Sequence, residues 1–396
     1  MSQTPRGPAW GLTRGRILLL LLLAVIGFVA IDDPRTIGTT VLFLVILTLL
    51  VLVHELGHFF VARMFGVRVL EFGIGFPPRA KVLRSSGETI YTVNWLPIGG
   101  FVKLEGEDGG DADDSRSFAN QGLGRKVIIL VAGVFMNVAL AAAIFTGIAL
   151  TGDPASGVYV PFVEPGSPAE SAGIRAGDVI ERVDGEAFSV FGPGSPLTKI
   201  RDSAGRTIEI TLRRGDQAVE TTAQLRAPAD IGVGRGALGI GSRELPLEQR
   251  ITSDRVTYPV DVAVGLGLER TGSAMRLILD GVGQIASAVV NKPTEAPPAS
   301  GPIGIATQIG DVFWTLGPLF TLYLAGILSA NLAIVNILPL PPLDGGRILV
   351  LLIKRIAGAR LSERVERLTY LVGFAVLMAF LVWVTGFDIA RGLSGG

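Results

Sequence analysis

"TIGTTVLFLVILTLLVLVHELGHFF" occupies residues 36–60, and no formal charge interrupts it before Glu55. A helix needs about 20 apolar residues to cross the roughly 30 Å hydrocarbon core of a bilayer, so this run predicts a membrane span. It closes on His54, Glu55 and His58, although ionisable side chains inside a span are costly and functional by default. The chain has two histidines in all, and both are here. The bland alternative, two histidines that merely fill a helix face, leaves that coincidence unexplained.

The rest of the composition agrees with a membrane protein. Of 396 residues, 49% are hydrophobic and 18% are charged, against about 25% charged in ordinary soluble domains. Lysine plus arginine balance aspartate plus glutamate at 35 each, which argues against a nucleic-acid partner. There is no cysteine, so disulfides, thiolate catalysis and cysteine zinc sites are excluded. Further uncharged runs begin at Val127, Val312 and Leu368. A shorter one, "ILLLLLLAVIGFVAI" (17–31), follows Arg14 and Arg16. No small-residue cleavage site succeeds it, so it is read as a retained helix rather than a signal peptide.

Lysine and arginine are counted loop by loop to set orientation. Three precede the first helix, one lies in "IDDPRT", nine in 63–126, six from Arg347 to Arg367 and one in the tail. The alternation fits five spans with a cytoplasmic N-terminus and residues 153–311 outside. The fold class expected is therefore a polytopic α-helical membrane protein. It has four spans preceded by one extra N-terminal span, a membrane-associated β-sheet and an inserted α+β domain.

The expected organisation runs as follows. Residues 1–35 hold the extra helix, 36–65 the H-E-x-x-H helix and 66–106 the membrane-associated sheet, whose "AKVL", "TIYTV" and "GGFVKL" are broken by "RSSG" and "LPIGG". An acidic cytoplasmic linker fills 107–124, and 125–152 is a span. The PDZ-like domain and a following strand occupy 153–250, because "GIRAGDVIERVDG" (173–185) resembles the helix, turn and core strand of a PDZ domain. Such a module implies a groove for an extended peptide tail; a spacer without ligand is the other reading. An amphipathic surface helix and a Pro-rich linker make up 251–310, since Glu269, Arg270, Arg276 and Asp280 interrupt its apolar residues. Residues 311–346 form a span ending in "LDGG", and 347–396 a basic loop and the last span.

Histidines four apart lie on one helix face and can both reach one zinc ion, with the intervening glutamate facing a water held there. A hydrolytic zinc site needs a third protein ligand and an open position. With no other histidine or cysteine, that ligand must be a carboxylate. Asp344 in "NILPLPPLDGGRI" (336–348) stands out, because the prolines before it must break the helix. The alternative for this stretch is a helix end with a solvated aspartate and a turn.

"HELGH" in an early span and "NILPLPPLDGG" in the penultimate one resemble the site-2 protease family of intramembrane zinc metalloproteases. The single PDZ-like module between them is similar to the bacterial regulator of sigma-E protease branch. "GFPPRA", "LPIGGFVKLEGE" and "GPIGIA" resemble further family segments. The resemblance implies one Zn2+ per chain on His54, His58 and Asp344, with Glu55 as catalytic base. It implies substrate binding by Asn336, Pro339 and Pro341 of an N-x-x-P-x-P pattern, and by Gly99 and Gly100 of the sheet. "AGVFMN" (132–137) meets a family A-G-P-x-x-N pattern except that Val134 replaces its proline, so no role is carried to Asn137. The extra first helix and the lone PDZ-like module depart from the enteric pattern.

The implied activity is cleavage of single-span membrane proteins, anti-sigma-factor-like or remnant signal peptides, after a prior outside cut. The expected location is a bacterial inner membrane, with lipid and membrane protein substrates as partners and no nucleic acid. A membrane-bound zincin cutting soluble chains needs a downstream E-x-x-x-[DN] ligand, which no span supplies. A scaffold with structural zinc needs a fourth protein ligand, which the sequence lacks.

Overall fold

The computed structural model describes residues 34–107, 114–192, 194–232, 235–243, 245–291, 295–297, 299–357 and 363–394. The helix expected at 17–31 lies outside the described residues. The chain divides into two units, one built from 1–145 and 268–396 and the other from 146–267.

The first unit opens with α1, Pro34–Met64. It buries Leu50, His54, Gly57, His58, Phe59 and Ala62, while Val41, Val45 and Leu49 stay about half exposed at four-residue spacing. An apolar stripe turned outward suits hydrocarbon, where the internally bonded helix needs no water. Strands β1 (Val69–Ser86) and β2 (Thr89–Leu104) follow as one long antiparallel pair. The pair folds on itself: Phe72 is opposite both Val102 and Tyr91, and Val82 is opposite Thr92. Residues 69–74 are therefore central, and residues 100–104 form an edge strand. Helix α2, Leu123–Thr151, then supplies Ile129 and Leu130 to a core shared with Phe59, Ala62, Val69 and Phe72.

In the second unit a five-stranded sheet runs β4 (Val158–Tyr159), β5 (Val179–Val183), β7 (Thr207–Arg214), β8 (Gln217–Gln224), with β6 (Glu186–Ala187) beside β5. "TIEITLRR" buries Ile208, Ile210 and Leu212 on one face, the period of two that a half-buried strand requires. Short helices Pro168–Ser171 and Pro196–Asp202 complete the module. A separate ladder pairs β3 (Asp153–Ser156) with β9 (Ile251–Val256), which carries strand structure past the expected end at 250.

Helix α3, Val260–Asn291, is the segment read as a surface helix, yet it is long and apolar enough to cross a membrane. By length and composition the same holds for 34–64, 123–151, 318–337 and 368–391. The span expected at 311–346 is two helices. Helix α4, Pro302–Leu316, ends at Gly317, whose φ is +89°. Helix α5, Pro318–Ile337, restarts on a proline that has no N–H to continue the previous ladder. The "LDGG" motif does not end the span either: Asp344 opens a new helix, α6 (Asp344–Ala357), where a basic loop was expected. Helix α7, Glu363–Ser394, is the last helix of the described residues.

Candidate metal centre

α1 presents His54 and His58 one turn apart, and both imidazoles are buried. Asp344, 290 residues from His54, is brought to them by the first turn of α6. Its Oδ2 lies 3.0 Å from His54 Nε2 and 3.3 Å from His58 Nε2, and the two Nε2 atoms are 3.1 Å apart. A tetrahedral zinc with ligands at about 2.0–2.1 Å has ligand–ligand edges of about 3.3 Å. The three donors thus form one face of such a tetrahedron, and their N, N, O chemistry suits zinc. Among the described residues no fourth protein ligand joins the group, which leaves the open position a hydrolytic site needs.

α2 shapes the pocket for the imidazoles. Ile129, Gly133 and Asn137 recur every fourth residue and so share a face. The Ile129 carbonyl accepts a 2.8 Å bond from His58 Nδ1–H, leaving Nε2 with its lone pair toward the site. A Cβ at Gly133 would stand 2.5 Å from His58 Nε2 and 2.7 Å from His54 Nε2, so only glycine leaves the rings their places. At Gly57, between the histidines, a Cβ would fall 2.3 Å from the Ala132 carbonyl oxygen. The two helices touch backbone to backbone there. Asn137 is fully buried, with its amide 3.2 Å from His54 Nδ1.

Glu55 opens on a cavity of about 430 Å³ together with the three donors. Its carboxylate accepts the backbone N–H of Val102 at 3.1 Å, from the edge strand of the sheet. Gly100 and Asn336 also line this cavity, and the Asn336 amide nitrogen is 3.5 Å from His54 Nε2. Gly99, Pro339 and Pro341 are not part of its lining. Gly99 instead packs by Val51 and Phe76. Pro339 is exposed, and the backbone of Pro341 fills the space left by Gly346 and Gly373.

Among the lining or orienting groups that sequence reasoning missed are Ile129, Val102, Glu107 and Arg347. Glu107 and Arg347 form an ion pair in the cavity wall. Arg347 was legible as the charge one turn after Asp344, but Glu107 was hidden in the acidic run "EGEDGGDADD". Ile129 and Val102 act through backbone atoms and have no side-chain signal.

The model of peptidase family M50 matches residues 42–380. A candidate zinc metalloprotease of Clostridium perfringens is 33% identical over 343 residues, covering 86% of this chain and 95% of that protein. The zinc metalloprotease RasP of Geobacillus kaustophilus is 26% identical over 436 residues, covering 90% and 99%. Among solved structures, the PDZ domain of an SdrC-like protein from Listeria monocytogenes is 30% identical over 22% of this chain and 87% of its own, with a TM-score of 0.18. The match to the family model runs from within α1 to within α7 and so takes in all three donors, and the chain belongs to peptidase family M50, the site-2 proteases, as a zinc metalloprotease.

Proposed function

We propose that this metalloprotease hydrolyses peptide bonds of single-span membrane proteins within or at the edge of the bilayer, after an outside cut has shortened them. The observation that carries the proposal is the placing of the three donors and Glu55 in one cavity, on helices whose other faces are apolar and exposed. His54, His58 and Asp344 hold the zinc. When bound, zinc supplies Lewis acidity that polarises the scissile carbonyl and acidifies a water.

Glu55 takes the proton from the attacking water and returns it to the leaving amine. The Val102 N–H keeps its carboxylate turned to the cavity. A helical substrate must unwind before its carbonyl can be attacked, because its carbonyls are held in its own ladder. The edge strand 100–104 suits an unwound segment, which it can receive as an added strand. Asn336, beside His54 in the same cavity, is positioned to hold the substrate backbone.

Anti-sigma-factor-like proteins and remnant signal peptides are the substrate classes the family resemblance favours. The loop charges favour a bacterial inner membrane protein with its N-terminus cytoplasmic and the PDZ-like module outside. Coexpression with a tagged single-span substrate, with and without Glu55→Gln, tests the activity. A clipped product made by the wild type alone supports it. Equal clipping by both removes Glu55 from the mechanism.

A further inference from the structure

His54 poses a tautomer problem that His58 does not. His58 Nδ1 meets a carbonyl, which can only accept, so the neutral ring carries its proton there and keeps the Nε2 lone pair free. His54 Nδ1 meets an amide, which can either donate or accept. With Asn137 Nδ2 against Nδ1 at 3.2 Å, the nitrogen donates and the proton of the neutral ring must sit on Nε2, where Asp344 Oδ2 accepts it at 3.0 Å. That tautomer cannot ligate a metal through Nε2. It also leaves Asn137 Oδ1 buried with no hydrogen-bond partner among the described residues. Burying an amide oxygen without a partner is unfavourable, because it loses its bond to water and gains none in return.

Turning the amide by 180° about its terminal bond resolves both points. Oδ1 then accepts from His54 Nδ1–H, the orphaned oxygen is satisfied, and the Nε2 lone pair faces His58 and Asp344. The backbone of Asn137 is held meanwhile: its carbonyl accepts a 2.8 Å bond from the fully buried Ser329 hydroxyl of α5. Only the side chain has to move.

We propose that Asn137 is a positioning residue of the zinc site, whose amide oxygen holds His54 in the metal-ligating tautomer. An aspartate oxygen can accept the same Nδ1–H, and a leucine of similar size cannot. The proposal rests on His54 being a zinc ligand.

The test is zinc affinity of the full-length, detergent-solubilised protein, measured by competition with a chromogenic chelator. Wild type is compared with Asn137→Asp, Asn137→Ala, Asn137→Leu and His54→Ala, each checked for folding by circular dichroism. Loss of such a partner typically weakens metal binding about 10–100-fold. Asn137→Ala and Asn137→Leu are expected to lose affinity in that range, and Asn137→Asp to bind within a few-fold of wild type. Wild-type affinity in the alanine or leucine variant overturns the proposal. So does an aspartate variant as weak as the leucine one, because a packing role would favour leucine. If one variant fails to fold, the remaining comparisons with wild type still decide. Unchanged zinc in His54→Ala overturns the reading of the site itself, an outcome distinct from the others.

Discussion

At residue scale the centre depends on what is small as much as on what ligates. Gly133 keeps its space free for both Nε2 atoms, so Gly133→Ala should lower zinc affinity about 10–100-fold, read by chelator competition. Wild-type affinity would show that the rings move aside without cost. Glu55 touches the cavity but is not among the metal-binding group. Glu55→Gln should lower cleavage about 10²–10⁴-fold while metal analysis finds one zinc per chain. Asp344→Asn should do the reverse and lose zinc first, because a neutral amide is a poor zinc ligand; stoichiometric zinc in that variant would remove Asp344 from the ligand set.

At element scale, helix ends and buried carboxylates decide how the parts are held. The N-terminus of α4 is capped from α7: Asp388 accepts the N–H of Gly301 at 3.2 Å and of Gly304 at 2.8 Å, and Arg391 pairs with it at 2.9 Å. Asp388→Ala leaves those N–H groups without their cap in a buried setting. It should cost about 1–2 kcal/mol, seen as a lower melting temperature in detergent with zinc content unchanged. In the PDZ-like module, burial alone would raise the Asp178 carboxyl. Two bonds from Arg214 and one from the Arg175 N–H outweigh this and hold it below the usual carboxylate range. A pKa depressed by folding stabilises above the unfolded value of about 3.9 and ceases to do so as pH falls through the folded one. Asp178→Asn should therefore cost about 2 kcal/mol near neutrality, below the range for a fully buried pair because Arg214 remains partly hydrated. The melting difference from wild type should shrink as pH falls from 6 toward 3; a constant difference would refute the linkage.

At the scale of the whole molecule, the question is which side of the membrane each unit faces. The chain has no cysteine, so single cysteines report topology cleanly. Ser85 and Asp202 are exposed positions in the sheet and the PDZ-like module. Cysteines there should react with impermeant reagents from opposite sides, and labelling from one side would overturn the proposed orientation. Selection of substrate is expected to be by size, since apolar spans offer little sequence to read. Replacing residues 157–227 with a short Gly/Ser linker should then allow cleavage of uncut substrates. If the module recruits a trimmed tail instead, the same deletion should slow cleavage of trimmed substrates, and no change in either rate would make it a spacer.

Two histidines and a glutamate at H-E-x-x-H spacing in an uncharged run were enough to read a metal site in a membrane, because helical geometry alone puts positions four apart on one face. Turn glycines and a period of two likewise made the PDZ-like strands legible. What the linear chain could not show was how α2 builds the site. The Ile129 carbonyl and the Val102 N–H are chemically the same in every residue, and Gly133 matters only because α1 passes within contact of it. The meeting of Asp344 with His54 and the cap on α4 from Asp388 depend on partners 290 and 84–87 residues away. Local propensity carries no information over such separations. Only the packed helices bring these groups within hydrogen-bonding distance.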